Sequence, residues 1–435
     1  MWSVIYLLKK ILRPKFIIFV ILLMALVSYI ITLFVLPGSI TLLAGENYKI
    51  SLRSPLFLQI RSQSKILRVS DSQDTSISAF EKPYSIMATE EGEAELGLSV
   101  LGIIPVKTVS VRSIESQRVY ASGAPIGIKL KTNGIIIINV SGVFLDDGTK
   151  VVPAESAGLL AGDVLIKAGG QDLKNISDLT GAVKNSGGKP LDIIYRRQDT
   201  EYKTTITPVK SGDDDEYRIG IWVRDSSAGI GTLTFINHTN NVYGALGHGI
   251  NDIDTGSLLE VGSGTLMRSN IKGIKKGVKG APGELEGDFL NISDIIGDIE
   301  LNCEFGIYGK ISDDIKKEKL GKLYGIGSHS TVKLGRATIL TCINGNKVDE
   351  YEIEIQRIAK NDLTSSKNMV VQITDKRLLD STGGIVQGMS GSPIIQDGRL
   401  IGAVTHVFIN DPMRGYGVFI ESMLNQSDVV AGKQQ

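Results

Sequence analysis

The sequence predicts a mainly β chain of several domains, carried behind one apolar helix. Three observations lead there. The chain has 435 residues, enough for more than one hydrophobic core. It holds 49 glycines, above the ordinary share of about 7%, and glycine supplies the positive φ angles of tight turns between short strands. From Phe16 to Leu36 it runs 21 residues without a charge.

The apolar run follows a basic stub of Lys9, Lys10, Arg13 and Lys15 with no acid. As a helix it would span about 31 Å, close to the roughly 30 Å hydrocarbon core of a bilayer. We expect residues 1–38 to be a cytoplasmic stub and an uncleaved signal-anchor. The basic flank then stays inside and everything after Pro37-Gly38 lies on the far side. A cleaved signal peptide is the alternative, but its apolar core is usually about 7–15 residues.

Hydrophobic residues make up 42% and charged residues 22%, a globular balance. Lys+Arg and Asp+Glu are equal at 47 each, so no basic excess points to nucleic acid. Only two cysteines occur, Cys303 and Cys342, which fit no zinc spacing and no dense disulfide framework. Buried free thiols are the expectation, with one bridge as the alternative. No His-Glu-x-x-His pair occurs, and neither a cofactor nor a metal is expected.

Residues 39–120 alternate apolar and polar positions, as in "ITLLAGENYKISL", and predict a small β domain or spacer. Residues 121–211 change character. "GIIIINV" (134–140) is a β-branched strand, "NISDLTGAVKNSGG" reads as a short helix starting near Ser177, and "PLDIIYRRQDTEYKTTITPV" reads as a strand pair. With Ser156-Ala157-Gly158-Leu159 and Ala161-Gly162-Asp163-Val164-Leu165 between them, this stretch resembles a PDZ domain of the bacterial protease-associated type. Such domains pair an extended peptide with a strand edge. Gly134, Ile135, Ile136 and Ile137 are the expected peptide-binding edge. The acidic run Asp213-Asp214-Asp215-Glu216 is expected to be a solvated linker.

Residues 212–435 hold many short strands with glycine turns, fitting a two-barrel all-β domain. "IQDGRLIGAV" (395–404) is a hairpin signal. The lysines Lys272, Lys275, Lys276 and Lys279 are expected on a solvated hairpin.

Chemistry concentrates in Gly388-Met389-Ser390-Gly391-Ser392-Pro393. A serine hydroxyl needs an exposed turn, a base and an oxyanion hole to act as nucleophile. The two glycines let the backbone turn sharply, so that the amides of Gly388 and Ser390 could hold an oxyanion. The motif resembles the Gly-x-Ser-Gly-Gly-Pro loop of chymotrypsin-like proteases, with Ser392 in place of the last glycine. Among four histidines, His248 in "YGALGHGIND" is the expected base, because glycines flank it and it precedes the serine. His406 is the rival, while His238 and His329 look like turn and loop residues. For the acid that orients the histidine, Asp375 at the end of "MVVQIT" is favoured over Asp252 and Asp254.

Taken together, "GALGHGI", "GIVQGMSGSPIIQDGRLIGAVTHVFINDP", "GYGV", the upstream PDZ-like stretch and the anchor resemble the SpoIVB peptidase family of endospore-forming bacteria. The resemblance covers essentially the whole chain. It implies a trypsin-like serine protease domain with a triad of His248, Asp375 and Ser390. It also implies a site at the forespore inner membrane facing the intermembrane space, self-cleavage near the N-terminus, and cleavage of a membrane-bound regulator of the protease that processes pro-sigma-K. The rival expectation is a non-catalytic PDZ scaffold whose trypsin-like domain only binds.

Overall fold

A computed structural model describes residues 38–432 apart from 54–57, 63, 72–80, 101–102, 199, 289–291, 313–314, 316–320 and 360–362, with a few residues between 16 and 30. The expected anchor therefore lies largely outside the described residues. Among those described, no helix is long and apolar enough to cross a membrane. The chain divides into two compact units, Met1–Gln117 with Ile326–Val332, and Arg118–Gly325 with Lys333–Gln435.

The first unit contains two sheets. β1 (Ser39–Leu43) pairs in parallel with β7 (Ile104–Ile114), which continues to β6 (Gly92–Val100) and β3 (Leu58–Ser62). β2 (Asn47–Arg53), β5 (Glu81–Ala88) and β4 (Leu67–Asp71) form the other. Alternation puts Leu96 and Leu98 of β6 and Val109 and Val111 of β7 inward, where they meet Ile86 and Leu42 in one core. The returning segment is tied in by Thr41, whose amide donates to Ser330 Oγ at 2.9 Å.

The second unit is built on two long strands, β9 (Pro125–Val140) and β18 (Ile221–Asn237), which follow the short β8 (Arg118–Ala121) and pair with each other from Ile221↔Val140 to Thr232↔Pro125. One half of this ribbon is completed by elements that lie between its strands in sequence. These are β10 (Val143–Phe144), β11 (Lys150–Val151), α1 (Pro153–Ser156), β12 (Val164–Ala168), β13 (Gln171–Asp172), α2 (Ile176–Asn185), β14 (Leu191–Arg197), β15 (Thr200–Ile206), β16 (Val209–Lys210) and β17 (Tyr217–Arg218). Helix α2 starts one residue before the expected Ser177. Asn175 caps it in a reciprocal box with Asp178, and Gly187 and Gly188 follow its end in positive φ. Ile135, Ile137, Leu165, Leu179, Ile193 and Ile219 share this core.

The other half holds two closed rings of strands. The first runs β9, β18, β19 (Val242–Ala245), β25 (Gly306–Lys310), β23 (Ile295–Asp298), β20 (Val261–Arg268) and back to β9, with β23 meeting the end of β25 through the bridge Gly297↔Ile311. Between them in sequence lie the hairpin of β21 (Asn270–Lys275) and β22 (Glu284–Asp288), and β24 (Leu301–Cys303). Past β26 (Lys322–Ile326), the second ring runs β27 (Gly335–Thr341), β28 (Asp349–Ile358), β29 (Met369–Ile373), β32 (Asp411–Phe419), β31 (Arg399–Phe408), β30 (Pro393–Gln396) and back to β27. Alternation is plain in β28, where Tyr351, Ile353 and Ile355 point in and Glu350, Glu352 and Glu354 point out. The Asp397-Gly398 turn has both residues in positive φ, as a two-residue hairpin requires. Helices α3 (Lys376–Thr382) and α4 (Ile420–Val430) complete the unit.

The boundary expected at 211/212 is corrected. Ile219, Ile221 and Val223 beyond the acidic run pack into the first core, while Ile126 and Ile128 before it pack with Leu233 and Tyr243 of the first ring. Two strands crossing between cores leave no linker there.

Candidate active site

The two rings each present a loop to one cavity of about 490 Å³, which contains Ser390, His248 and His406. Ser390 lies in the loop between α3 and β30. Gly388 and Gly391 both have φ +96, and a Cβ on Gly391 would sit against the Thr232 carbonyl oxygen, so only glycine fits. β18 braces this loop. Thr232 Oγ1 donates to Gly388 O at 2.8 Å, the Thr232 amide to Ser390 O at 2.9 Å, and Thr234 Oγ1 to Gly391 O at 2.7 Å. Ser392 is fully buried and its Oγ donates to Met389 O at 2.6 Å. It closes the turn, whereas Ser390 faces the cavity. Ser390 Oγ donates to Thr405 O at 2.7 Å. Among the described residues, the amides of Gly388 and Ser390 have no protein acceptor.

His248 follows β19 on a turn in which Leu246 and Gly247 both have positive φ. Its Nδ1 lies 2.8 Å from Gly249 O. A carbonyl only accepts, so Nδ1 carries the proton and Nε2 keeps its lone pair. Burial lowers the His248 pKa, opposed by the Gly249 bond, which favours the charged ring. The loop is pinned by Asn302, which the sequence reading missed. Its Oδ1 accepts from the Ile250 amide and its Nδ2 donates to Ile250 O and Leu259 O, each at 2.8 Å. Only its place on a strand near a buried loop could have signalled it.

His406 comes from β31 at a bulge, where the register with β32 shifts between Val404 and Val407. Bulges re-aim side chains, and this one brings the His406 ring to 4.6 Å from that of His248 between centroids. Its Nδ1 is buried without a partner. Burial, then His248 and Lys367, lower its pKa to about 4.

None of the expected aspartates meets His248. Asp375 is the N-cap of α3: its Oδ1 accepts from the Arg377 amide at 2.9 Å, and Arg377 Nη2 binds its Oδ2 at 2.7 Å. Arg377 first, then the Glu352 and Arg377 amides, hold its pKa at about 2 against burial. An aspartate at a strand end before "KRLL" is a helix-cap signal, and that role takes its carboxylate. Asp252 is buried, binds Arg224 and accepts from the Thr255 amide at 2.9 Å, while Asp254 binds Arg224 at 2.7 Å. The acceptor on His248 is the Gly249 carbonyl.

Ile230, Leu246, Ile250, Val407 and Ile409 make much of the remaining wall apolar, with Ser227, Asn251 and Gln387 among them, and no Asp, Glu, Lys or Arg lines it among the described residues. No group of three or more His, Cys, Asp or Glu that could hold a metal occurs among them either. Cys303 and Cys342 are both free thiols. Of the lysines expected on a hairpin, Lys272 pairs with Asp288, Lys275 lies opposite Glu284, and Lys276 Nζ donates to Asp380 O.

The expected peptide edge at Gly134–Ile137 is also corrected. Ile135 and Ile136 pair with β12, and Ile136 and Ile137 pair with β18, so the strand is interior. Gly134, with φ +108, has Val164 and Leu165 against its Cβ position. The open groove lies instead between α2 and the start of β18, a cavity of about 520 Å³ that includes Leu179, Val183, Ile221 and Trp222.

A serine loop and a histidine loop, set on two strand rings and lining one cavity, suit the serine peptidase class. Residues 215–424 match the family SpoIVB peptidase S55. A 70-residue stretch is 34% identical to serine protease HTRA1 of Xenopus tropicalis, over 16% of this chain and 15% of that protein. The chain thus spans less than a sixth of that relative's length. Among solved structures, the PDZ domain of an SdrC-like protein from Listeria monocytogenes is similar over 21% of this chain and 87% of its own, at 23% identity and TM-score 0.18. The Rv3671c protease of M. tuberculosis in its active form is similar over 48% of this chain and 76% of its own, at 12% identity and TM-score 0.26.

Proposed function

We propose that this chain is a trypsin-like serine endopeptidase in which Ser390 attacks, His248 takes its proton, and the Gly388 and Ser390 amides hold the oxyanion. The observation that carries the reading is that Ser390 and a His248 ring with an open Nε2 share one uncharged cavity. The Ser390 hydroxyl leaves the Thr405 carbonyl and turns to His248 Nε2. Attack on the scissile carbonyl passes the hydroxyl proton to Nε2, and the imidazolium keeps its Nδ1–H on Gly249 O. It later gives the Nε2 proton to the leaving amine. Each well-aimed oxyanion donor contributes about 3 kcal/mol. The family of residues 215–424 and the basic-then-apolar N-terminus support the finer reading. The chain is anchored in the forespore inner membrane by its N-terminal helix, faces the intermembrane space and cleaves its own N-terminal segment. It then cuts a membrane-bound regulator of pro-sigma-K processing, with its PDZ domain as a binding module.

The test is labelling with a fluorophosphonate. Ser390→Ala and His248→Ala should each abolish labelling and proteolysis, while Ser390→Ala should cost about 1 kcal/mol of stability for its one hydrogen bond. Undiminished cleavage by folded Ser390→Ala would leave the rival, a non-catalytic scaffold with contaminating activity, as the better account.

A further inference from the structure

We propose that β18 offers one continuous binding edge, along which the substrate segment downstream of the scissile bond runs from Ser390 into the groove beside α2. This rests on the peptidase reading above. β9 fills one edge of β18 from Ile221 to Thr232. On the opposite edge, β19 joins only from Leu233 onward, while β8 continues the β9 side. Among the described residues, Ile221 to Gly231 therefore pairs with β9 and no second strand. The ends of this bare stretch are walls of two cavities. Ile221, Trp222 and Val223 face Ile176, Leu179 and Val183 of α2, and Ser227 to Ile230 face the cavity of His248 and Ser390.

The spacing between the two sites is pinned. The Thr232 amide on Ser390 O fixes β18 against the nucleophile loop. Midway, Arg224 binds Asp252 and Asp254 of the loop that follows His248, and Asp225 Oδ2 accepts from the Ile176 amide at 2.9 Å, at the start of α2. From Ile230 to Ile221 the edge is about 30 Å at about 3.3 Å per residue.

An extended polypeptide can add to such an edge through its main chain. Antiparallel pairing is the commoner geometry, and a chain laid antiparallel to β18 enters at Ile230 and runs toward Ile221. The part in the α2 groove is then about eight to ten residues C-terminal to the cut. The apolar walls take apolar side chains. The groove's rim, with Asp213, Asp214 and Glu216 against Lys184 and Arg218, disfavours acidic ones. The occupant is thus the substrate's own extended, apolar, non-acidic downstream segment, and the enzyme measures its cut from it.

The full chain would be given unfolded carboxymethylated casein and the cut bonds mapped by mass spectrometry. Peptides around one mapped bond would then be made with successively longer C-terminal sides. kcat/KM should rise about tenfold or more once about eight residues follow the bond. Trp222→Asp should bring the long peptide down toward the short one, while N-terminal truncation gives no comparable step. Rates that do not depend on downstream length overturn the shared edge and leave the peptidase standing. Absence of all cleavage together with unlabelled Ser390 overturns both.

Discussion

Among the described residues, His248 has no carboxylate against it, and this sets the pH at which the site can work. Burial holds its pKa below the ordinary 6.5. The base acts only when neutral, and a lowered pKa keeps it neutral further into acid. The acid limb of kcat/KM against pH should therefore have its midpoint below 6.5. His406, with its pKa at about 4, stays neutral over that range and adds no opposing charge. A limb displaced above 6.5 would mean a carboxylate lies against His248 in the working enzyme, which would return Asp375, Asp252 or Asp254 to the mechanism. That Ser390 and His248 would meet at one cavity was legible in the sequence, because glycines on both sides of each mark a sharply turned backbone. Asn302 and the approach of the His406 ring to His248 were not: the one acts through backbone atoms of a distant loop, and the other depends on a bulge that only the partner strand reveals.

At the scale of elements, alternation and turn chemistry carried most of the strands. The Asp397-Gly398 hairpin and the α2 helix with its glycine end follow from local residues alone. Strand neighbours did not. "GIIIINV" reads as an edge, but an apolar β-branched run suits a strand covered on both sides, and β12 and β18 cover it. Asp375 at the end of "MVVQIT" reads as a partner for the histidine, yet the residues after it spell a helix start. Asp375→Ala should accordingly behave as a lost cap, costing about 1 kcal/mol or somewhat more with the Arg377 pair. Urea unfolding would measure that loss, and the rate at which fluorophosphonate labels Ser390 in the folded protein should stay near wild type. A stable Asp375→Ala protein with unlabelled Ser390 would show that the carboxylate serves the chemistry and not the helix.

At the scale of the whole second unit, β9 and β18 belong to both cores, and this bears on how it unfolds. Domains joined by a linker open separately, because few contacts cross the boundary. Here the ribbon supplies Ile135 and Ile137 to the core around α2, and Ile126, Ile128 and Leu233 to the first ring. Pulling β9 from one core withdraws it from the other. Amide exchange should therefore find one cooperative block, with β14 of the core around α2 and β19 in the ring opening at the same free energy. Gly134, where β9 passes between the halves in a positive φ, is the place to perturb it. Gly134→Ala puts a Cβ against Val164 and the Leu165 carbonyl. It should lower the opening free energy of both halves together, by about 1–3 kcal/mol for strained backbone. If β14 loses protection and β19 keeps its own, the ribbon does not couple the cores, and the unit behaves as two domains that merely share strands.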